Sequence, residues 1–96
     1  MDGDHRIVLA RRARIDIEAI AIDLHERAGD RVASRIVHEI EEAIVDLDRM
    51  PLRFAVVKGV LRKRTVSSYS IYYRVADRIV TIVRVLHQSR DHPRLL

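Results

Sequence analysis

The sequence predicts an α+β fold of order β-α-α-β-β-β, with an N-terminal helical hairpin packed on one face of a small, mainly antiparallel sheet. Three observations predict it. Apolar residues recur at three- and four-residue spacing through residues 13–47, the period of a helix. From about residue 60 the period drops towards two, the repeat of a strand. Pro51 separates the two regimes and pushes the residue before it out of the helical region. With 96 residues, 48% of them hydrophobic, the chain fits one domain over residues 1–96 and can bury a core.

Ile7, Val8 and Leu9 make residues 5–10 a short apolar strand. Ala13, Ile17, Ile20, Ala21, Leu24 and Ala28 then share one face of a first helix. Gly29 ends that helix, and Asp30 is expected to cap the next one through its carboxylate. In the second helix Ala33, Ile36, Val37, Ile40, Ile44 and Leu47 form a continuous stripe. Glu39, Glu41, Glu42, Asp46 and Asp48 take the other side. So short a turn makes the two helices antiparallel neighbours.

Three strands are expected after Pro51. Residues 60–67 form a run blurred by the cations Arg62, Lys63 and Arg64. Residues 69–75 alternate: Tyr69, Ile71, Tyr73 and Val75 face one way, and Ser70, Tyr72 and Arg74 the other. Ala76-Asp77-Arg78 is a hairpin connection. Ile79–His87 is apolar on both faces, as a central strand would be. From about residue 88 the chain is a polar tail that Pro93 keeps out of regular structure.

Composition excludes several classes of function. The chain has no Cys, so disulfide scaffolds, Cys-ligated zinc and thiol catalysis are out. No metal is expected either, because His5, His25, His38 and His92 lack ligand spacing. Met1 to Arg6 are mostly polar and no apolar run reaches the roughly 20 residues of a membrane span, so a cytoplasmic protein is expected. Charge is divided: residues 1–50 carry 8 Arg against 12 acids, or −4, while residues 51–96 carry 10 Arg and Lys against 2 acids, or +8. A basic half attracts anionic partners. The second helix is net acidic, which disfavours direct, specific DNA binding through a major groove.

A helical hairpin covers only one face of a sheet. Strict alternation in the last strand sets Val80, Ile82 and Leu86 opposite Ile79, Val83 and Val85. One set must then face away from the helices, leaving an apolar surface for a second polypeptide.

The residues also resemble a known family. Ala13-Arg14-Ile15-Asp16-Ile17-Glu18-Ala19-Ile20 resembles the A-x-x-D-L-x-x-I that opens the first helix of RelE/ParE toxins of bacterial type II toxin–antitoxin modules. Leu47-Asp48-Arg49-Met50-Pro51 is similar to their L-x-x-x-P. Within residues 64–75, Arg64 followed by Tyr69-Ser70-Ile71-Tyr72-Tyr73-Arg74-Val75 is similar to their Arg followed by Y-x-I-x-Y-x-V. Ile82-Val83-Arg84-Val85-Leu86-His87-Gln88-Ser89-Arg90-Asp91 resembles the I-L-R-V-x-H-x-x-R-D ending of the ParE branch. The chain departs from many ParE-like sequences at Leu52-Arg53-Phe54, where those carry Gly soon after the proline.

The resemblance implies a non-enzymatic toxin that binds DNA gyrase and is neutralised by a ParD-like antitoxin, with no cofactor. Arg62, Arg64, Tyr72, Arg84, His87 and Arg90 are the expected antitoxin or target contacts. The alternative is a RelE-like ribosome-dependent mRNA endoribonuclease, for which Arg62, Arg64, Arg84 and His87 would be the catalytic candidates. That reaction needs a base, an acid and cations for the developing charge. No acidic residue lies between Pro51 and Val75 to act as the base there.

Overall fold

The computed structural model describes residues 4–96. The chain runs β1 (Arg6–Leu9), α1 (Arg11–Ala28) and α2 (Asp30–Val45), then two 3₁₀ turns at Asp46–Asp48 and Pro51–Arg53. Next come β2 (Val56–Lys58), β3 (Leu61–Val66), β4 (Tyr69–Ala76), β5 (Ile79–His87) and a last helical turn, α3 (His92–Leu95). The strands form one sheet in the order β1-β5-β4-β3-β2. β1 lies parallel to β5, and every other pairing is antiparallel. Among the described residues no helix is long and apolar enough to cross a membrane.

The helical hairpin packs on one face of that sheet. Ala13 of α1 and Ile40, Ala43 and Ile44 of α2 meet Tyr69, Ile71, Tyr73, Val80, Ile82 and Val85 in a single buried cluster. Gly29 joins the helices with φ +87°, a conformation that favours a residue without Cβ. Its carbonyl accepts from the Ala33 N–H, which makes Gly29 the cap of α2. Asp30 is therefore not the expected cap but the first helical residue. Its carboxylate lies 2.5 Å from His25 Nδ1 instead.

Three further features differ from the sequence expectation. A fifth strand, β2, forms the sheet edge in a stretch where no strand was expected. Second, β5 does not alternate strictly: Tyr73 pairs with Ile82 and Tyr72 with Arg84, so Val83 is an unpaired extra residue, a β-bulge. The bulge shifts the phase, and Val85 joins Val80 and Ile82 in the helix-facing core while Leu86 pairs with Ser70 away from it. Third, the C-terminal segment is not an unstructured tail. Pro93 sits in the first turn of α3, where its missing N–H costs nothing. The α3 turn folds back so that part of the reverse sheet face is already covered by the chain itself.

Candidate functional site

The six expected contact residues separate into three environments. Arg62 and Arg64 pair across β3–β4 with Tyr73 and Ile71, which places them on the helix-packed side of the sheet. Arg62 donates from Nη1 to the Phe54 carbonyl at 2.7 Å and the Leu52 carbonyl at 3.1 Å. Arg64 donates from Nη1 to the Ala43 carbonyl at 3.0 Å and to Asp46 Oδ2 at 2.8 Å. Arg53 donates to the same Asp46 oxygen, and the guanidinium carbons of Arg53 and Arg64 lie 4.8 Å and 4.9 Å from the centre of the Phe54 ring. These cations serve the last carbonyls of α2 and the turn after it, where the helix dipole favours positive charge. The Arg64 hydrogen bond is the largest influence holding the Asp46 carboxyl below its ordinary value, opposed by partial burial and helped by Arg53.

Arg84 and Tyr72 form the second environment. Arg84 donates from Nε to Asp16 Oδ2 at 2.8 Å and from Nη2 to Asp16 Oδ1 at 3.0 Å. Both side chains are about nine-tenths buried. Asp16 Oδ2 also accepts at 2.9 Å from the N–H of Val85, which lies beyond Ile82, the last β5 residue paired with β1, and Arg84 Nη1 reaches the Leu95 carbonyl at 3.2 Å. Tyr72 is 3% exposed. Its hydroxyl lies 2.5 Å from His92 Nδ1, and the two rings meet edge to face at 5.5 Å. His92 Nε2 is 2.8 Å from the His87 carbonyl, which can only accept. The proton is thus on Nε2 in the neutral ring, and Nδ1 receives the Tyr72 O–H. Burial raises the Tyr72 and Tyr73 hydroxyls above the ordinary 10.0, so both remain donors at neutral pH.

His87 and Arg90 make the third environment. They open on a cleft of roughly 320 Å³ between α1 and the end of β5, shared with Asp23, Arg27, Tyr69 and Ser89. His87 Nδ1 lies 2.8 Å from Ser89 Oγ and accepts from the Ser89 N–H at 3.1 Å. Its ring meets Tyr69 edge to face at 5.1 Å. Of the six, only these two combine a polar head with access to solvent and a concave surface. The structure does not bring the four candidate nuclease residues together: three guanidinia are held by internal acceptors, and His87 stands apart on the α1 side of β5.

Sequence reasoning missed Asp16, Asp46 and His92, the partners that take up those arginines and Tyr72. One signal was available. Asp16 lies among the apolar positions Ala13, Ile17 and Ile20 of α1, and a carboxylate there demands a buried counter-ion.

The architecture defines a small α+β protein with a helical hairpin on a five-stranded sheet and an internally braced basic half. The sequence matches the family described as "ParE toxin of type II toxin-antitoxin system, parDE" over residues 7–92. The chain belongs to that family, and it is a ParE-type toxin of a type II toxin–antitoxin system. Its fold is shared by a structure of the chromosomal ParDE toxin–antitoxin system from P. aeruginosa, with a TM-score of 0.79 and 21% identity over 88% of this chain and 96% of that one. It is also similar to the toxin–antitoxin complex RelBE2 from Mycobacterium tuberculosis, with a TM-score of 0.64 and 22% identity over 92% of this chain and 95% of that one. No curated protein matched the sequence.

Proposed function

We propose that this toxin acts in the cytoplasm by binding DNA gyrase rather than by cutting RNA, and that a ParD-like antitoxin neutralises it in a hetero-oligomer. One observation carries the choice: the guanidinia of Arg62, Arg64 and Arg84 are engaged by carbonyls and carboxylates of the chain itself. Cleavage through a 2′-hydroxyl requires cations free to meet the charge that develops on phosphate. In this arrangement those cations stabilise the fold. The likeness to the ParDE structure supports the same reading, and the acidic helical hairpin argues against operator binding by the toxin itself.

The endoribonuclease reading has one observation in its favour. His87 stands at a cleft with Arg27 and Arg90 nearby, so an acid–base group and two cations share a concave surface. Pulse labelling after induction of the toxin alone separates the readings. A gyrase poison stops thymidine incorporation while amino-acid incorporation continues for a time. An mRNA-cleaving toxin stops amino-acid incorporation first, and that result would overturn the proposal.

A further inference from the structure

The reverse face of the sheet is covered at one end only. There α3 meets Tyr72 and Arg84 through His92 and the Leu95 carbonyl. Towards the β4–β5 turn the same face carries Val8 of β1, Thr81 of β5 and Arg74 of β4, which are in register across the three strands. Strand alternation sets them opposite Val75, Val80 and Ile82, which lie in the helix-facing core or pack against it. Arg6, two residues before Val8, and Lys63, paired with Tyr72, share the face as well. Arg6, Lys63 and Arg74 are all exposed.

These three cations fall on one diagonal. Measured along β4, Lys63 stands at the level of Tyr72, Arg74 at its own, and Arg6 at the level of Ala76 through Ile79. Strands lie about 4.8 Å apart and rise about 3.4 Å per residue, so the successive steps are about 8 and 12 Å and the stripe is about 20 Å long. The segments that supply it hold no carboxylate: His5 to Ile15 carries four Arg, and Arg49 to Ala76 seven cations. Among the described residues none of the three is in an ion pair. Asp4, next to this end, is taken by Arg78 at 3.7 Å, and Asp77 stands in the turn beyond it.

Chemistry selects the occupant. β4 and β5 are interior strands, so their main-chain groups are already paired and this face offers a polypeptide no ladder. Apolar surface beside the stripe is modest, with Val8 39% exposed. What remains is a row of unpaired positive charges, and a phosphodiester backbone is held by charge alone. At 3.4 Å per nucleotide, a stripe of about 20 Å follows about six phosphates of one strand. We propose that Arg6, Lys63 and Arg74 on the reverse sheet face bind the phosphate backbone of duplex DNA without selecting bases. The inference rests on the gyrase reading above and deepens it: the duplex is the one that the target enzyme holds. It is compatible with the acidic hairpin, which lies on the opposite side of the sheet.

The experiment titrates full-length toxin into a labelled duplex of mixed sequence and follows fluorescence anisotropy from about 50 to 200 mM salt. Wild type is compared with Arg6→Gln, Lys63→Gln, Arg74→Gln and Arg74→Lys, and with Arg35→Gln on α2 as the charge control, each first shown to melt like wild type. Three phosphate contacts predict that wild type loses about fortyfold in affinity over that range. Each Gln variant in the stripe should bind about eightfold more weakly at about 0.1 M salt, with a log–log salt slope smaller by about 0.9. Arg74→Lys and Arg35→Gln should match wild type. Absent binding by wild type, or an equal loss in Arg35→Gln, would overturn the proposal. Tighter binding of single-stranded RNA than of the duplex would overturn it too. So would stripe variants that lose antitoxin and keep DNA, which would give the face to an acidic polypeptide. Supercoiling is assayed separately: toxin that binds the duplex and leaves gyrase unimpeded would overturn the target reading, a result distinct from the others.

Discussion

Asp16 and Arg84 lie 68 residues apart in sequence and meet as a two-point ion pair between α1 and β5, with the Val85 N–H as a third partner of the same carboxylate. The first comes from the segment that opens the first helix and the second from the strand that ends the sheet. Their pairing fixes how the hairpin sits across the bulge at Val83. A buried pair of this kind is weak evidence of net stabilisation, but breaking it is expensive because one charge is left dry and alone. Asp16→Ala is expected to cost about 3–5 kcal/mol in urea denaturation. The double variant Asp16→Leu, Arg84→Met removes both charges and is expected to be less destabilised than Asp16→Ala alone. Additive losses would mean that the pair does not act as a unit.

Acid sensitivity should be traceable to Asp46. Arg64, and after it Arg53, hold its folded pKa below the ordinary 3.8, while the unfolded chain keeps roughly that value. In the range between the two the unfolded chain binds the proton more readily, so the contribution is complete above 3.8 and disappears as pH falls through the depressed folded value. The stability difference between wild type and Asp46→Asn should accordingly shrink as pH is lowered below 3.8. Its side chain is 48% exposed, so added salt should reduce the difference as well. A difference independent of pH would assign the Asp46 effect to packing alone.

Met50 is a site of backbone strain. It adopts φ +46° and ψ +52° immediately before Pro51, a left-handed conformation that costs a residue with Cβ about 1 kcal/mol or more. Its side chain is 74% exposed and contributes little packing. Met50→Gly is expected to raise the melting temperature, with a gain of about 0.5–1 kcal/mol after the entropy of the added glycine is set against it. A lower melting temperature would show that the Met50 side chain has a packing role.

Tyr73 is fully buried and donates its hydroxyl to the Pro51 carbonyl, tying β4 to the turn that follows α2. Tyr73→Phe leaves that carbonyl unpaired in the core, at a cost of about 1–3 kcal/mol by denaturant titration. A neutral effect would mean that water reaches Pro51.

The scaffold was legible wherever an element kept a clean period. The stripe from Ala33 to Leu47 specified α2, and the Ala76-Asp77-Arg78 connection is a hairpin turn in which Asp77 and Arg78 both take positive φ. β2 was not legible, since three residues cannot display alternation. Nor was the bulge: Ile79–His87 is apolar almost throughout, so a phase shift at Val83 leaves no polar residue out of place. The site was read least well, and the reason is the chemistry of arginine. Charge on a strand suggests a solvated or partner-facing side chain, yet a guanidinium has five donors and can serve the carbonyls of a helix end. That is the position of Arg62 and Arg64. His87 and Arg90, past the last apolar pair, are half-buried and exposed respectively.

The gyrase assignment stands or falls with purified components. Toxin titrated into a supercoiling reaction should inhibit gyrase and accumulate DNA broken by the enzyme, while mRNA on translating ribosomes stays intact in the same toxin range. Supercoiling that proceeds unimpeded while ribosome-bound mRNA is cut would contradict the account and assign the chain to ribonuclease chemistry.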